Sequence, residues 1–186
     1  MNERSLRAVD NADPEPEHDA PRGAGSLREI VMGAQDNLTT VLAVVLGVAV
    51  GTGEARTVAL AGLASGVAEA ISMAGVLYTS TRAERDLASN NGERGPRSEP
   101  IVAGAVTFAA AIVAAMIPLA PFAFLPLRWA MAAAAFLSVV ALFGLGAWTG
   151  GVTRRSRWQA GLRFVLIGGF AALGSALVGT ALRTHA

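Results

Sequence analysis

Cysteine is absent from the 186 residues, which excludes disulfides, cysteine-ligated zinc and thiol catalysis and leaves the redox compartment undetermined. Lysine is absent as well, so every basic residue is an arginine, and the formal net charge of +1 gives no electrostatic footprint for a nucleic acid partner. Histidine is scarce. His18 and His185 stand near opposite ends of the chain, too far from any candidate site to build a histidine metal centre. No glycine-rich phosphate loop, metal-hydrolase spacing or paired nucleophile and base occurs, so an enzyme is not expected. Charge of either sign is rare: 16% of residues are charged against 53% hydrophobic, and the mean hydropathy is +0.47. A bilayer is therefore the expected solvent.

What is present is organised simply. Residues 1–26 carry six acids (Glu3, Asp10, Asp13, Glu15, Glu17 and Asp19) with Pro14, Pro16 and Pro21. That composition predicts a disordered acidic tail, and without an apolar h-region it does not read as a signal peptide. Five apolar runs follow, at about 30–50, 57–78, 101–120, 129–149 and 162–182. Each approaches or exceeds the ~20 residues a helix needs to cross ~30 Å of hydrocarbon, and none shows the short strict alternation of a barrel strand. The expected fold is all-α, a polytopic five-helix transmembrane domain over residues 27–186.

The arginines orient it. With the N-terminus in the cytoplasm, Arg4, Arg7, Arg22, Arg28, Arg82, Arg85, Arg94, Arg97, Arg154, Arg155, Arg157 and Arg163 fall inside and only Arg56, Arg128 and Arg183 outside. The positive-inside rule then predicts a cytoplasmic N-terminus and an external C-terminus. Pro118, Pro121 and Pro126 are expected to end the third helix and shape the outer turn.

Two acids interrupt the apolar runs. Asp36, in GAQDNLTT, is the only charged residue from Ile30 to Gly53, and Glu69 stands alone between Thr57 and Thr81. The first helix also presents Gly33, Asn37, Thr40, Gly47 and Gly51 on one stripe with Asp36, expected to face protein, and at a two-fold axis if the chain dimerises there. On the second helix Gly62, Ser65, Gly66, Glu69, Ser72 and Met73 share a side, with Glu69 and Met73 one turn apart. Counted from the cytoplasmic ends, Asp36 lies roughly 9 Å deep, Met73 roughly 8 Å and Glu69 roughly 14 Å. Plainer roles stay open: Asp36 as a helix cap or a snorkelling acid, Glu69 as a protonated interhelical hydrogen bond, Met73 as packing.

The stretches LREIVMGAQDNLTTVLAVVLGVAVG, LAGLASGVAEAISMAGVLYTSTRAERD, IPLAPF and GLRFVLIGGFAALGSALVG, in that order over Leu27 to about Leu182, resemble the vacuolar iron transporter family. The resemblance implies a homodimer whose metal path runs between subunits and is lined by the first two helices. It implies export of ferrous iron or manganese from the cytosol in exchange for protons. The family's acid falls on Asp36 and its Ser-Met pair on Ser72 and Met73. The chain departs from the family at Asn37, where glycine is usual, and at Ser65, where a glutamate is common; Glu69, one turn on, is a possible replacement. It also departs at residues 79–99, too short for the glutamate-rich cytoplasmic helical domain of many relatives.

The candidate metal residues are thus Asp36, Glu69 and Met73, with Asn37, Thr40 and Ser72 as neutral oxygen donors. Carboxylates that take protons when metal leaves suit exchange, and a thioether tilts preference towards transition metals. The membrane would be the plasma (inner) membrane in a bacterium and a vacuolar or other organelle membrane in a eukaryote. A different class is a non-transporting membrane scaffold or partner subunit on the same fold, which should tolerate Asp36→Asn and Glu69→Gln.

Overall fold

The computed structural model describes residues 24–96 and 98–183. The expected tail up to residue 23, with His18, and also Arg97 and His185 lie outside the described residues. Five α-helices and no strands make up the described part: α1 (Ala24–Thr52), α2 (Ala55–Asn91), α3 (Pro100–Phe124), α4 (Leu127–Val152) and α5 (Arg157–Arg183). All five are long and apolar enough to cross a membrane. This is a five-helix membrane protein whose perimeter side chains, among them Leu60, Ile71, Val113, Phe136, Phe170 and Leu177, are exposed as lipid requires.

The helices overrun the apolar runs at their ends. α2 continues through the polar stretch Thr79–Asn91 and stops at Gly92, whose φ of 71° suits a glycine. The amides of Gly92 and Glu93 turn back to the carbonyls of Ser89 and Ala88, closing the helix, and Pro100 opens α3 where its missing N–H costs nothing. Among the described residues, the segment between α2 and α3 holds no separate helical domain.

α3 departs from expectation. Pro118 and Pro121 lie inside it, both buried, and the helix runs on to Phe124, where the Leu125 amide bonds the Pro121 carbonyl. Neighbouring helices stabilise a proline-containing span in lipid, so these prolines do not terminate it. Pro126 alone acts at a boundary, preceding α4.

α1 is the hub and packs against all four other helices. Lipid is as apolar as leucine, so helix association rests on close approach of small side chains rather than on water exclusion. Gly33 lies against Thr107 of α3, where an added Cβ would stand 2.5 Å from the Thr107 carbonyl oxygen. Gly47 meets Ser175 and Gly179 of α5, and Gly51 also faces Gly179. Gly47 and Gly51 are thus consumed by packing within the chain, not left for a two-fold axis. Leu38, Val41, Leu42 and Val45 fill the other sides of α1. The remaining helices surround α1 in sequence order, each packed on the next, but α2 and α5 do not pack extensively on one another. A gap is left between them, floored by α1.

Candidate metal site

Adjacent residues of α1 point in different directions because successive side chains turn by about 100°. Asn37 is fully buried. Its amide nitrogen donates to the Gly66 carbonyl of α2 at 2.9 Å and to the Ala111 carbonyl of α3 at 3.0 Å. It ties three helices together, and its close neighbour Gly66 is tightly packed, since an added Cβ would lie 3.0 Å from Ala115 Cβ and that neighbour would have to give way. Asp36, by contrast, is exposed at the gap between α2 and α5.

There it lines a cleft of about 320 Å³ together with Met32, Gln35 and Thr39 of α1, Met73 of α2 and Ile167 of α5. The two sulfurs, the amide, the carboxylate and the hydroxyl of this set are all possible metal donors. Thr39 Oγ1 is buried with no hydrogen-bond partner among the described residues. Glu69, half-buried on α2 one turn before Met73, is a close electrostatic neighbour of Asp36. Two such neighbouring carboxylates repel each other unless a proton or a cation lies between them.

Of the residues singled out from sequence, the structure brings together Asp36, Glu69 and Met73. Asn37 is turned away into the α1–α2–α3 junction. Ser72 is exposed on α2 and Thr40 is half-buried on α1, and neither lines the cleft. Met32, Gln35 and Thr39 were not anticipated. Met32 and Thr39 stand four residues before and three after Asp36, a spacing that already places them on its face. Ile167 comes from a helix whose approach no local pattern reveals. A further acid, Glu29, is buried near the start of α1 with Oε2 unpartnered among the described residues. It falls just outside the apolar run, two turns before Asp36. Among the described residues no three acidic or histidine side chains converge, so an all-carboxylate cage is not formed within one chain.

Comparison with known proteins agrees with this architecture. A model of the VIT family matches residues 27–98 and 90–180. The chain is similar to a protein named vacuolar iron transporter homolog 5 of Oryza sativa subsp. japonica, 32% identical over 170 residues that cover 85% of this chain and 80% of the relative.

Proposed function

Since the chain belongs to the VIT family, we propose that it is a metal transporter that carries ferrous or manganous ions out of the cytosol in exchange for protons. The observation that carries the proposal is the cleft that holds Asp36 with the thioethers of Met32 and Met73, with Glu69 as a second carboxylate beside Asp36. A divalent cation entering between the carboxylates displaces the proton that otherwise holds them together, and its departure lets a proton return. Oxygen donors accept magnesium, calcium and manganese as readily as ferrous iron, whereas two sulfurs on one cleft favour the softer transition metals.

The distribution of arginines supports a cytoplasmic N-terminus, and the outward direction rests on the family resemblance. The gap between α2 and α5 supports a homodimer in which a second copy covers the cleft. The exposed face of α2 beside it carries the small residues Ala64, Ala68 and Ser72, which permit close helix approach. Such a dimer would set two copies of Asp36, Glu69, Met32 and Met73 about one path.

Uptake of ferrous, manganous and calcium ions into proteoliposomes tests the proposal. Wild type should move the first two in preference to calcium, and Asp36→Asn should not. Absence of uptake, with the protein folded and correctly inserted, would favour a scaffold on the same fold.

A further inference from the structure

From Pro100 to Ala186 the sequence contains six arginines and no aspartate or glutamate. Four of the six, Arg154, Arg155, Arg157 and Arg163, fall within ten residues at the corner where α4 turns into α5, and all four are exposed. Among the described residues, two acids at that end, Glu84 and Glu99, are already paired with other arginines. Glu84 pairs with Arg28 at 3.8 Å, and Glu99 pairs with Arg85 at 2.8 Å, both at the corner formed by α1, α2 and α3. Neither α2 with α4 nor α2 with α5 packs extensively, and no salt bridge among the described residues reaches the α4–α5 corner.

The corner has a shape as well as a charge. Gly146 and Gly150 of α4 and Gly161 of α5 bring the two helices close, and an added Cβ at Gly146 would lie 2.7 Å from the Ala160 carbonyl oxygen. Beside this contact is a pocket of about 390 Å³ lined by Trp148, Gly151, Val152 and Arg157. The Arg157 guanidinium lies directly over Gly151, where a Cβ would stand 2.9 Å from Nε. Arg154 holds a φ of 54°, a conformation uncommon for any residue but glycine, asparagine or aspartate. The wall of the pocket is apolar and outward-facing, with Trp148 and Val152 both exposed.

We propose that the α4–α5 corner is a binding site for an anionic phospholipid, with the headgroup phosphate held by Arg157 and its neighbours and the acyl chains lying along Trp148 and Val152. Guanidinium groups bind phosphate oxygens through paired, charge-assisted hydrogen bonds, and indole rings settle at the depth of the headgroups. A free anion would neutralise the arginines without using the apolar wall beside them. A phospholipid satisfies both at once. The site is separate from the Asp36 cleft and does not depend on transport.

The test uses the full-length protein in detergent micelles, with lipid retention read by native mass spectrometry for phosphatidylglycerol, phosphatidylcholine and free glycerol phosphate. Wild type should retain phosphatidylglycerol well above phosphatidylcholine. Because each basic residue near a surface strengthens attraction to anionic lipid by about fivefold, Arg157→Gln should weaken retention about fivefold, and the triple change of Arg154, Arg155 and Arg157 to glutamine roughly a hundredfold. Gly151→Ala, which moves the Arg157 guanidinium but keeps its charge, should weaken it less than Arg157→Gln, while Arg94→Gln on the distant corner should leave it unchanged. Equal retention by wild type and the triple variant would overturn the proposal. So would equal retention of phosphatidylcholine, or of glycerol phosphate as tightly as the whole lipid. A gain of tenfold or so on converting the six N-terminal acids to amides would name the chain's own acidic segment as the occupant, and would likewise overturn it.

Discussion

Neighbouring carboxylates repel unless a proton or a cation lies between them, and Asp36 and Glu69 present that choice at the open side of α1. Asp36→Asn keeps the shape and removes the charge, so metal uptake should fall at every pH, by roughly ten- to a hundredfold, the usual worth of one charge-assisted contact. Met32→Leu and Met73→Leu keep the volume and remove only sulfur. Each should lower the ratio of ferrous to manganous uptake by about two- to fivefold, and the double variant should lower it further. Met116→Leu, on the exposed side of α3, should leave that ratio unchanged. The two acids and Met73 were legible in the sequence because a charge in an apolar run has so few alternatives. Met32 was not, because a methionine that packs and one that faces a donor cluster look alike until the helix is set against its neighbours. Asn37 misled for the opposite reason: next to Asp36 it shares the motif but not the face, and its amide serves two backbone carbonyls.

At the scale of helices, the decisive contacts are between small residues. Asn37→Ala should lower stability by about 1–2 kcal/mol through loss of its two interhelical hydrogen bonds, yet leave metal uptake per folded molecule unchanged. Thermal unfolding in detergent alongside uptake checks both halves, and a selective loss of uptake would restore Asn37 as a metal donor. Gly47→Leu should act on folding of the chain rather than on dimer assembly, because the leucine must displace Ser175 and Gly179 of α5. The expected cost is about 1–3 kcal/mol or more, read as loss of folded protein without a selective shift from dimer to monomer on size exclusion. Beyond the bilayer, Arg85 holds the Glu99 carboxyl below its ordinary value. A depressed carboxylate contributes fully above its unfolded-state value and is lost as pH falls through the lower folded-state value. Protection of the amides around residues 93–95 and 98–99, taken relative to the intrinsic exchange rate at each pH, should therefore fall only in acid, and Glu99→Gln should remove that loss of protection. The five spans were readable from hydropathy alone, but their ends were not. Capping by Gly92 and support of Pro118 and Pro121 by neighbouring helices depend on structure outside each run.

The whole molecule follows from one central helix with four others around it and one gap. Because α2 and α5 leave α1 uncovered at Asp36, the fold places its acids at a surface that a second copy can close. Hydropathy predicts the number of spans but not which pair of helices stays apart, since that depends on where glycines let α1 approach α3 and α5. Topology can be checked on the native cysteine-free background. Single cysteines at Ser89 and Ser156 should react only with reagent on the cytoplasmic side. Labelling of the two from opposite sides would contradict the fold, in which both lie at the same end of the bundle.

Metal–proton exchange through the Asp36–Glu69 pair is tested most directly by manganous uptake into proteoliposomes, with and without an imposed pH gradient, for wild type, Asp36→Asn and Glu69→Gln. Wild type should respond to the gradient and Asp36→Asn should transport poorly in both conditions. Glu69→Gln should still admit metal while losing the response to the gradient. A Glu69→Gln protein that keeps the full gradient response, beside an Asp36→Asn protein that loses it, would contradict the shared role of the pair and leave Asp36 as both metal ligand and proton carrier.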